Sequence, residues 1–286
     1  MQKISIVIPA YNEEKGITQT IKGIQEIIKK IKADIEIVVV NDASRDGTPE
    51  ILSNIKGIKV LEHESNRGYG ASLKTALRSI YSEFMLIIDA DGTYPIKSIP
   101  KLIELAPKYD IVVGARAGKT VKIPFFRKPA KWIINRFAEY LTMTKIPDLN
   151  SGLRIFRREV ALKFINFYPE GFSFTTTLTM SCLTNDYRVK YITIDYFERK
   201  GISTIHPIKD FVGFLNLIFR LTIYFRPLNV FMPIAIFIFI AGVGKLIRDF
   251  LVLTHFGLGG AVLVLSAIQI AFLGIMADLI IKRTKL

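Results

Sequence analysis

The 286-residue sequence holds one cysteine, Cys182, and three histidines. A lone cysteine excludes an internal disulfide framework and a cysteine-rich zinc site. His63, His206 and His255 are scattered, which argues against a histidine-built metal centre. Acidic oxygens remain available for a hard cation. Charge is missing from two long stretches. Pro227–Gly244 carries none over 18 residues, and Phe250–Ala277 carries none over 28 with His255 neutral. A helix needs about 20 apolar residues to cross a bilayer core, so both runs are long enough. Soluble core helices rarely stay uncharged for that length. Lys245, Arg248 and Asp249 break the pattern between the runs, which predicts a helical hairpin.

What is present narrows the class further. Half of the residues are hydrophobic, too many for a disordered chain. Lys and Arg number 39 against 25 Asp and Glu, a net charge of +14. Such an excess suits a phosphate-bearing partner. Nucleic acid would account for the charge, but the spans and the lack of a basic-aromatic reader module argue against it. Arg226 precedes the first apolar run, and Lys282, Arg283 and Lys285 follow the second. The positive-inside rule then predicts a multi-pass protein of the cell membrane with its first 200 residues cytoplasmic. Met1-Gln2-Lys3 leads directly into a strand-like run, which does not read as a signal peptide.

The first 200 residues alternate strand and helix patterns. Ile4–Ile8, Ile35–Val40, Ile58–Leu61, Phe84–Ile88 and Ile111–Val113 read as buried strands. Ile17, Ile21, Ile24, Ile28 and Ile31 form one helical stripe, and residues 69–81 and 98–106 read as further helices. This alternation predicts an α/β fold with a mostly parallel sheet covered by helices. Ligands in such sheets bind beyond the carboxyl ends of the strands, where Asn41-Asp42, Asp89-Ala90-Asp91 and Gly114-Ala115-Arg116 fall. Phe211, Phe214, Leu215, Ile218, Leu221 and Phe225 recur at helical spacing. They predict an amphipathic helix that either lies in the membrane interface or packs on the soluble domain. Three parts are expected: a catalytic domain over 1–206, the amphipathic helix over 207–226 and a transmembrane hairpin over 227–286.

Asp89-Ala90-Asp91 carries the most chemistry. Two carboxylates two residues apart at a strand end suit a magnesium ion, which takes one or two carboxylates plus substrate phosphates. Alone, the triplet would equally suit an exposed acidic turn. It stands, however, in an ordered set: Val7-Ile8-Pro9-Ala10-Tyr11-Asn12-Glu13-Glu14, Asn41-Asp42-Ala43-Ser44-Arg45-Asp46-Gly47-Thr48, Asn66-Arg67-Gly68-Tyr69-Gly70 and Asp89-Ala90-Asp91-Gly92. Together these resemble the family-2 glycosyltransferases of the GT-A fold over about the first 200 residues. Asp148-Leu149-Asn150-Ser151-Gly152-Leu153-Arg154-Ile155-Phe156 and Arg199-Lys200-Gly201-Ile202-Ser203 are similar to segments of the polyprenyl-phosphate sugar synthases. A two-span C-terminal hairpin resembles their bacterial glucosyltransferase branch.

The resemblance implies a metal-dependent hexosyltransferase. The donor would be a GDP- or UDP-hexose and the acceptor a dolichyl or undecaprenyl phosphate; the alternatives are a glycosyltransferase acting on a glycan or another lipid acceptor, and a catalytically silent membrane module that binds nucleotide sugars. Self-association is left open. Pro9, Tyr11, Glu13, Asp42, Gly68, Gly70 and Ala90 would line the nucleotide. Asp91, supported by Asp89, would hold Mg2+ or Mn2+. Many relatives carry Gln shortly after this triplet, where this chain has Thr93. Arg116, Arg127, Arg154 and Arg199 would neutralise the two phosphates brought together. For Arg127 and the adjacent Lys128, ordinary membrane-surface charge is the equal alternative. An acceptor phosphate is already anionic near neutral pH, so inverting attack needs no strong base.

Overall fold

The computed structural model describes residues 2–117, 128–171, 173–197, 207–253 and 257–284. The chain forms two compact units, Met1–Glu139 with Thr144–Phe214, and Tyr140–Met143 with Leu215–Leu286. The first is built on seven strands: β1 Lys3–Ala10, β2 Asp34–Asn41, β3 Lys59–Glu62, β4 Phe84–Ile87, β5 Ile111–Arg116, β6 Arg154–Arg157 and β7 Val189–Ile194. Their order across the sheet is β3-β2-β1-β4-β6-β5-β7. Every pairing is parallel except those of β6, which runs antiparallel to both β4 and β5. The sheet is therefore mostly parallel, as the alternation predicts.

The β-branched runs explain the strands. Alternate residues of β1 serve opposite faces. Ile4, Ile6 and Ile8 join a core with Ile17, Ile21 and Ile24 of α1 (Ile17–Ile28) and with Ile99, Leu102 and Ile103 of α4 (Ile99–Leu105). Between β2 and β3 runs α2 (Thr48–Asn54), and between β3 and β4 runs α3 (Tyr69–Ser79). Leu73, Ala76 and Leu77 of α3 are buried. Strand order reverses between β1 and β4: the chain first builds outward through β2 and β3, then returns. That switch point is where open parallel sheets hold ligands.

The N-terminus of α3 is capped by backbone rather than by a side chain. Gly70 N–H donates to Gly171 O at 3.0 Å, and Ala71 N–H to Glu170 O at 2.8 Å. The two segments approach so closely that a Cβ on residue 70 would lie 2.1 Å from Pro169 O. Only glycine fits this contact.

The remaining helices are α5 Lys128–Thr142, α6 Arg158–Lys163, α7 Phe174–Thr184, α8 Pro207–Phe225, α9 Leu228–Leu253 and α10 Leu258–Thr284. In the second unit Ile218, Leu221 and Phe225 of α8 are buried, while Phe219, Arg220 and Tyr224 are exposed. Over Leu215–Phe225 the apolar positions Ile218, Leu221 and Phe225 are thus packed, with an aromatic and basic face left open. Helices α9 and α10 form the expected hairpin. Small residues bring them together: a Cβ on Gly242 would lie 2.9 Å from Val264 N, and one on Gly274 would lie 2.7 Å from Phe231 Cβ. Both helices are long and apolar enough to cross a membrane, and only 17% of each apolar window is buried within the protein. That bareness separates them from soluble core helices, which are mostly buried.

Replacing Gly70 by Ala should push α3 off the 169–171 backbone. We expect a stability loss of about 1–3 kcal/mol, the usual range for overpacking, read as a lowered melting midpoint of the detergent-solubilised protein. An unchanged midpoint would show that the contact relaxes freely.

Candidate active site

Four loops meet at the carboxyl edge of the sheet. The first two, after β1 and β2, are stitched to each other. Asn12 N–H donates to Ser44 Oγ at 3.0 Å, and Arg45 N–H donates back to Asn12 Oδ1 at 2.8 Å. Glu13 N–H donates to Thr48 Oγ1 at 3.0 Å, and Gly47 N–H to Glu14 Oε2 at 2.9 Å. Asn12 and Ala43 have φ of 55° and 56°. Left-handed backbone at residues other than glycine is strained and concentrates at ligand clamps. Asp46 shows the same over-determination. Burial raises its pKa, but bonds from Thr48 and Glu14 outweigh that and hold it below the ordinary carboxylate value. Tyr11 stands 41% exposed on this platform, with its ring available to a flat ligand. Pro9 is buried in β1.

Asp42 follows β2 directly and is almost fully buried. Its Oδ1 meets His63 Nδ1 at 2.6 Å and accepts from Arg67 N–H at 2.9 Å. Its Oδ2 accepts from Gly68 N–H at 2.7 Å. His63 Nε2 lies 2.9 Å from Thr75 Oγ1. The carboxylate therefore holds the Arg67-Gly68 turn, and His63 holds the carboxylate. Sequence reading passes over His63 because it looks only for histidine clusters. Its signal is positional: it follows β3 directly, beside the residues that follow β2. An open cleft of about 450 Å³ borders these ends, lined among others by Asn41, Ser44, Arg45, His63 and Asn66. Tyr11, Asp89 and Asp91 are not part of its wall.

The acidic triplet follows β4. Asp89 accepts from Tyr69 Oη at 3.1 Å. Burial, then the Asp89 charge, raises the Tyr69 pKa well above its ordinary value, so it serves as a neutral donor. Asp91 Oδ1 accepts from Thr93 N–H at 3.1 Å and Thr93 Oγ1 at 2.7 Å. Thr93 is buried, so it positions Asp91 from inside the protein. Ala90 points inward: its side chain lies in the core and its carbonyl accepts from Thr20 Oγ1 at 2.9 Å. Its side chain thus supports the turn rather than lining a nucleotide. Among the described residues no group of three or more His, Cys, Asp or Glu could hold an ion. The donor set is two half-buried carboxylates, which fits a hard cation completed by phosphate and water.

The fourth loop, residues 148–153, lies against this triplet. A Cβ on Gly152 would fall 2.6 Å from Asp89 Oδ2, and Gly152 N–H donates to Tyr94 Oη at 2.6 Å. Asp148 receives Arg116 at the end of β5 through a two-pronged bond, Nε to Oδ2 at 2.7 Å and Nη2 to Oδ1 at 2.9 Å. Burial disfavours the Arg116 charge, but Tyr94 and the bonds to Asp148 raise its pKa well above the ordinary value. Its side chain stays 21% exposed and lies 5.3 Å from the Tyr196 ring. Tyr196 in turn meets Tyr94 edge-on at 5.2 Å. Nothing in the spacing of Tyr94 and Tyr196 marks them as partners.

Two motifs read separately in the sequence thus share one site. The triplet that resembles a nucleotide-sugar site and the segment that resembles a polyprenyl-phosphate synthase are in contact. The chain belongs to glycosyl transferase family 2. Residues 5–164 match that family, and residues 226–282 match the GtrB C-terminal hairpin. A dolichyl-phosphate hexose transferase of Haloferax volcanii is 30% identical over 206 residues, covering 71% of this chain and 87% of the relative. The low-salt glycan biosynthesis hexosyltransferase Agl6 of the same organism is 26% identical, over 95% of this chain and 67% of its own. An undecaprenyl-phosphate 4-deoxy-4-formamido-L-arabinose transferase of Yersinia enterocolitica is 26% identical, over 96% and 84%. The fold is also that of the Mycobacterium tuberculosis glucosyl-3-phosphoglycerate synthase, solved with Mn2+, UDP-glucose and phosphoglyceric acid. There the TM-score is 0.61 at 16% identity, over 77% of this chain and 80% of that one.

Of the four arginines proposed to meet phosphate, Arg116 sits at the site edge. Arg127 and Arg199 lie outside the described residues. Arg154 is fully buried, so it cannot meet an acceptor directly. Its Nε donates to Ser151 O at 2.9 Å, and its Nη1 to Thr175 O and Thr179 Oγ1, each at 2.8 Å. Burial lowers its pKa from the ordinary value, opposed by Tyr69, Tyr191 and Asp148. It braces the 148–153 loop from behind.

Arg154→Lys should therefore act on the fold. A lysine cannot reach these acceptors together, and buried carbonyls left unpaired cost about 1–3 kcal/mol each. We expect a lowered melting midpoint. A normal midpoint with a raised KM for the lipid acceptor alone would instead return Arg154 to the acceptor site.

Proposed function

We propose that this transferase moves a hexose from a nucleotide sugar to a polyprenyl phosphate, with inversion at the anomeric carbon. The observation that carries the reading is the contact between Gly152 and Asp89, which joins the acceptor-type segment to the donor-type triplet. The names of the relatives support it, as do the two apolar helices. Pro9, Tyr11, Glu13, Asp42, Gly68 and Gly70 line the nucleotide end. Asp42 contributes mainly by holding the Arg67-Gly68 turn. Asp91 holds Mg2+ or Mn2+ with Asp89 in support, and this ion supplies charge neutralisation at the diphosphate. Thr93 and Tyr69 keep the two carboxylates in place.

An oxygen of the acceptor phosphate forms the new bond to the anomeric carbon. The bond to the nucleoside diphosphate breaks, and its electron pair leaves with that group. No proton must be removed. The protein's task is to hold two mutually repelling anions in line. Arg116, with Arg127 and Arg199, supplies the cations. Residues 1–206 face the cytoplasm, as the basic flanks of the hairpin indicate.

Membranes containing the protein, given a panel of radiolabelled GDP- and UDP-hexoses, should pass label into the lipid phase as a sugar phosphoryl-polyprenol. EDTA should stop this. Asp91→Ala should lose at least about 3 kcal/mol of transition-state stabilisation, the scale of one key electrostatic group. Label found only on a neutral glycan would move the acceptor to a different class. Full turnover in EDTA would remove the metal.

Arg199→Ala should weaken transfer to the lipid more than it weakens donor binding. A partly desolvated arginine–phosphate bond contributes about 1.5–3 kcal/mol. Arg199→Lys should restore only part, because the two-pronged geometry is missing. Comparing acceptor kinetics with donor affinity for each variant decides the matter. Equal loss of both would assign Arg199 to the donor.

A further inference from the structure

Both ring nitrogens of His63 are engaged inside the protein. Its side chain is 5% exposed, and that of Asp42 is 4% exposed. Nδ1 lies 2.6 Å from Asp42 Oδ1, and Nε2 lies 2.9 Å from Thr75 Oγ1. An ionised carboxylate only accepts, so Nδ1 carries the proton of the first bond. No polar atom of the imidazole is left for a substrate. His63 borders the open cleft beside β2 and β3, but whatever it does for a ligand must pass through other residues.

The two bonds reach two points of one helix. Asp42 accepts from the N–H groups of Arg67 and Gly68, which lead into α3. Gly68 has φ of 96°, so the chain turns sharply there. Thr75 lies within α3, about 9 Å along its axis from Tyr69 at 1.5 Å per residue. One imidazole therefore holds the helix entry through Asp42 and the helix middle directly. Two separated points set the tilt of α3 as well as its position. Tyr69 is the first residue of α3 and donates to Asp89 at 3.1 Å. A tether at the end of β3 thus reaches a carboxylate that follows β4. Packing alone would not select histidine here. A leucine of similar size would take one donor from the buried Asp42 carboxylate and the partner from Thr75.

We propose that His63 is a positioning residue for the donor diphosphate. By tethering α3 through Asp42 and Thr75 it places Tyr69, and through Tyr69 it orients Asp89 beside the metal that the diphosphate binds. This inference rests on the reading of the acidic triplet as the donor's metal site.

Calorimetry on the detergent-solubilised full chain, with UDP and GDP each titrated in the presence of Mn2+, tests it. His63→Ala should weaken the nucleotide that binds by about ten-fold, the scale of one bond to a charged group. His63→Asn should recover most of that loss, because its amide N–H can reach Asp42 from the place of Nδ1. Thr75→Val removes only the tether to the helix middle, leaves the Asp42 bonds in place, and should weaken the same nucleotide by about three-fold. Tyr69→Phe should weaken binding in the unsubstituted chain but add little in the His63→Ala chain, since both residues lie on one path. Unchanged affinity in either His63→Ala or Thr75→Val, with only a lowered melting midpoint, would reduce His63 to a folding role and overturn the proposal. So would losses at His63 and Tyr69 that simply add, or an Asn variant no better than Ala. If neither nucleotide binds the unsubstituted chain in Mn2+, the donor-site reading falls and this inference with it.

Discussion

Negative charge crowded onto one sheet edge is the constraint that the rest of the site answers. Parallel strands β1, β2 and β4 deliver their following loops to the same edge, and that edge holds Asp42, Asp89 and Asp91, with Asp148 arriving from the 148–153 loop. A nucleoside diphosphate and a lipid phosphate would add further negative charge. Each carboxylate is met locally: Asp42 by His63 and two backbone amides, Asp89 by Tyr69, Asp91 by Thr93, and Asp148 by Arg116. Neutral donors hold Asp89 and Asp91, the two nearest the proposed metal. They orient the oxygens without cancelling the charge that a cation needs. Asp148 is met by a cation, an arginine that remains partly exposed.

Much of the fold was legible because its signals are physical and local. A strand buried on both faces reads as a β-branched run, as at Ile37–Val40, and α1 shows its isoleucine stripe because one side meets the core. The elements that escaped lack those asymmetries. In α7 every residue is buried, including four threonines in its first two turns, so no amphipathic stripe exists to be seen. The β6 strand is four residues with arginine at each end, and its antiparallel setting depends on neighbours far away in sequence.

The site divides in the same way. Motif order located the carboxylates and the glycines. It could not tell that Arg154 faces inward while Arg116 faces the site edge, because both are arginines near the same segment. Burial decides their roles, and burial belongs to the assembled fold. Ala90 makes the same point: the middle residue of an acidic turn must face somewhere, and alternation at the strand end turns it to the core.

One contact ties the two ends of the proposed reaction. The turn that fixes Asp91 through Thr93 also fixes the chain beyond β7, since Phe197 N–H donates to Thr93 O at 2.9 Å. Phe197 stands two residues before Arg199. Thr93 is buried and makes side-chain and backbone bonds to Asp91, so the turn is rigid on the donor side. Tyr94, next in sequence, binds Gly152 N–H and meets Tyr196 edge-on, so the same turn also holds the 148–153 loop and β7's exit. Thr93 and Tyr94 together therefore tie the acidic turn, the 148–153 loop and the chain beyond β7 from within. Such an anchor suits an enzyme whose work is positioning, because an error of an ångström between donor and acceptor is costlier than the loss of a single exposed charge.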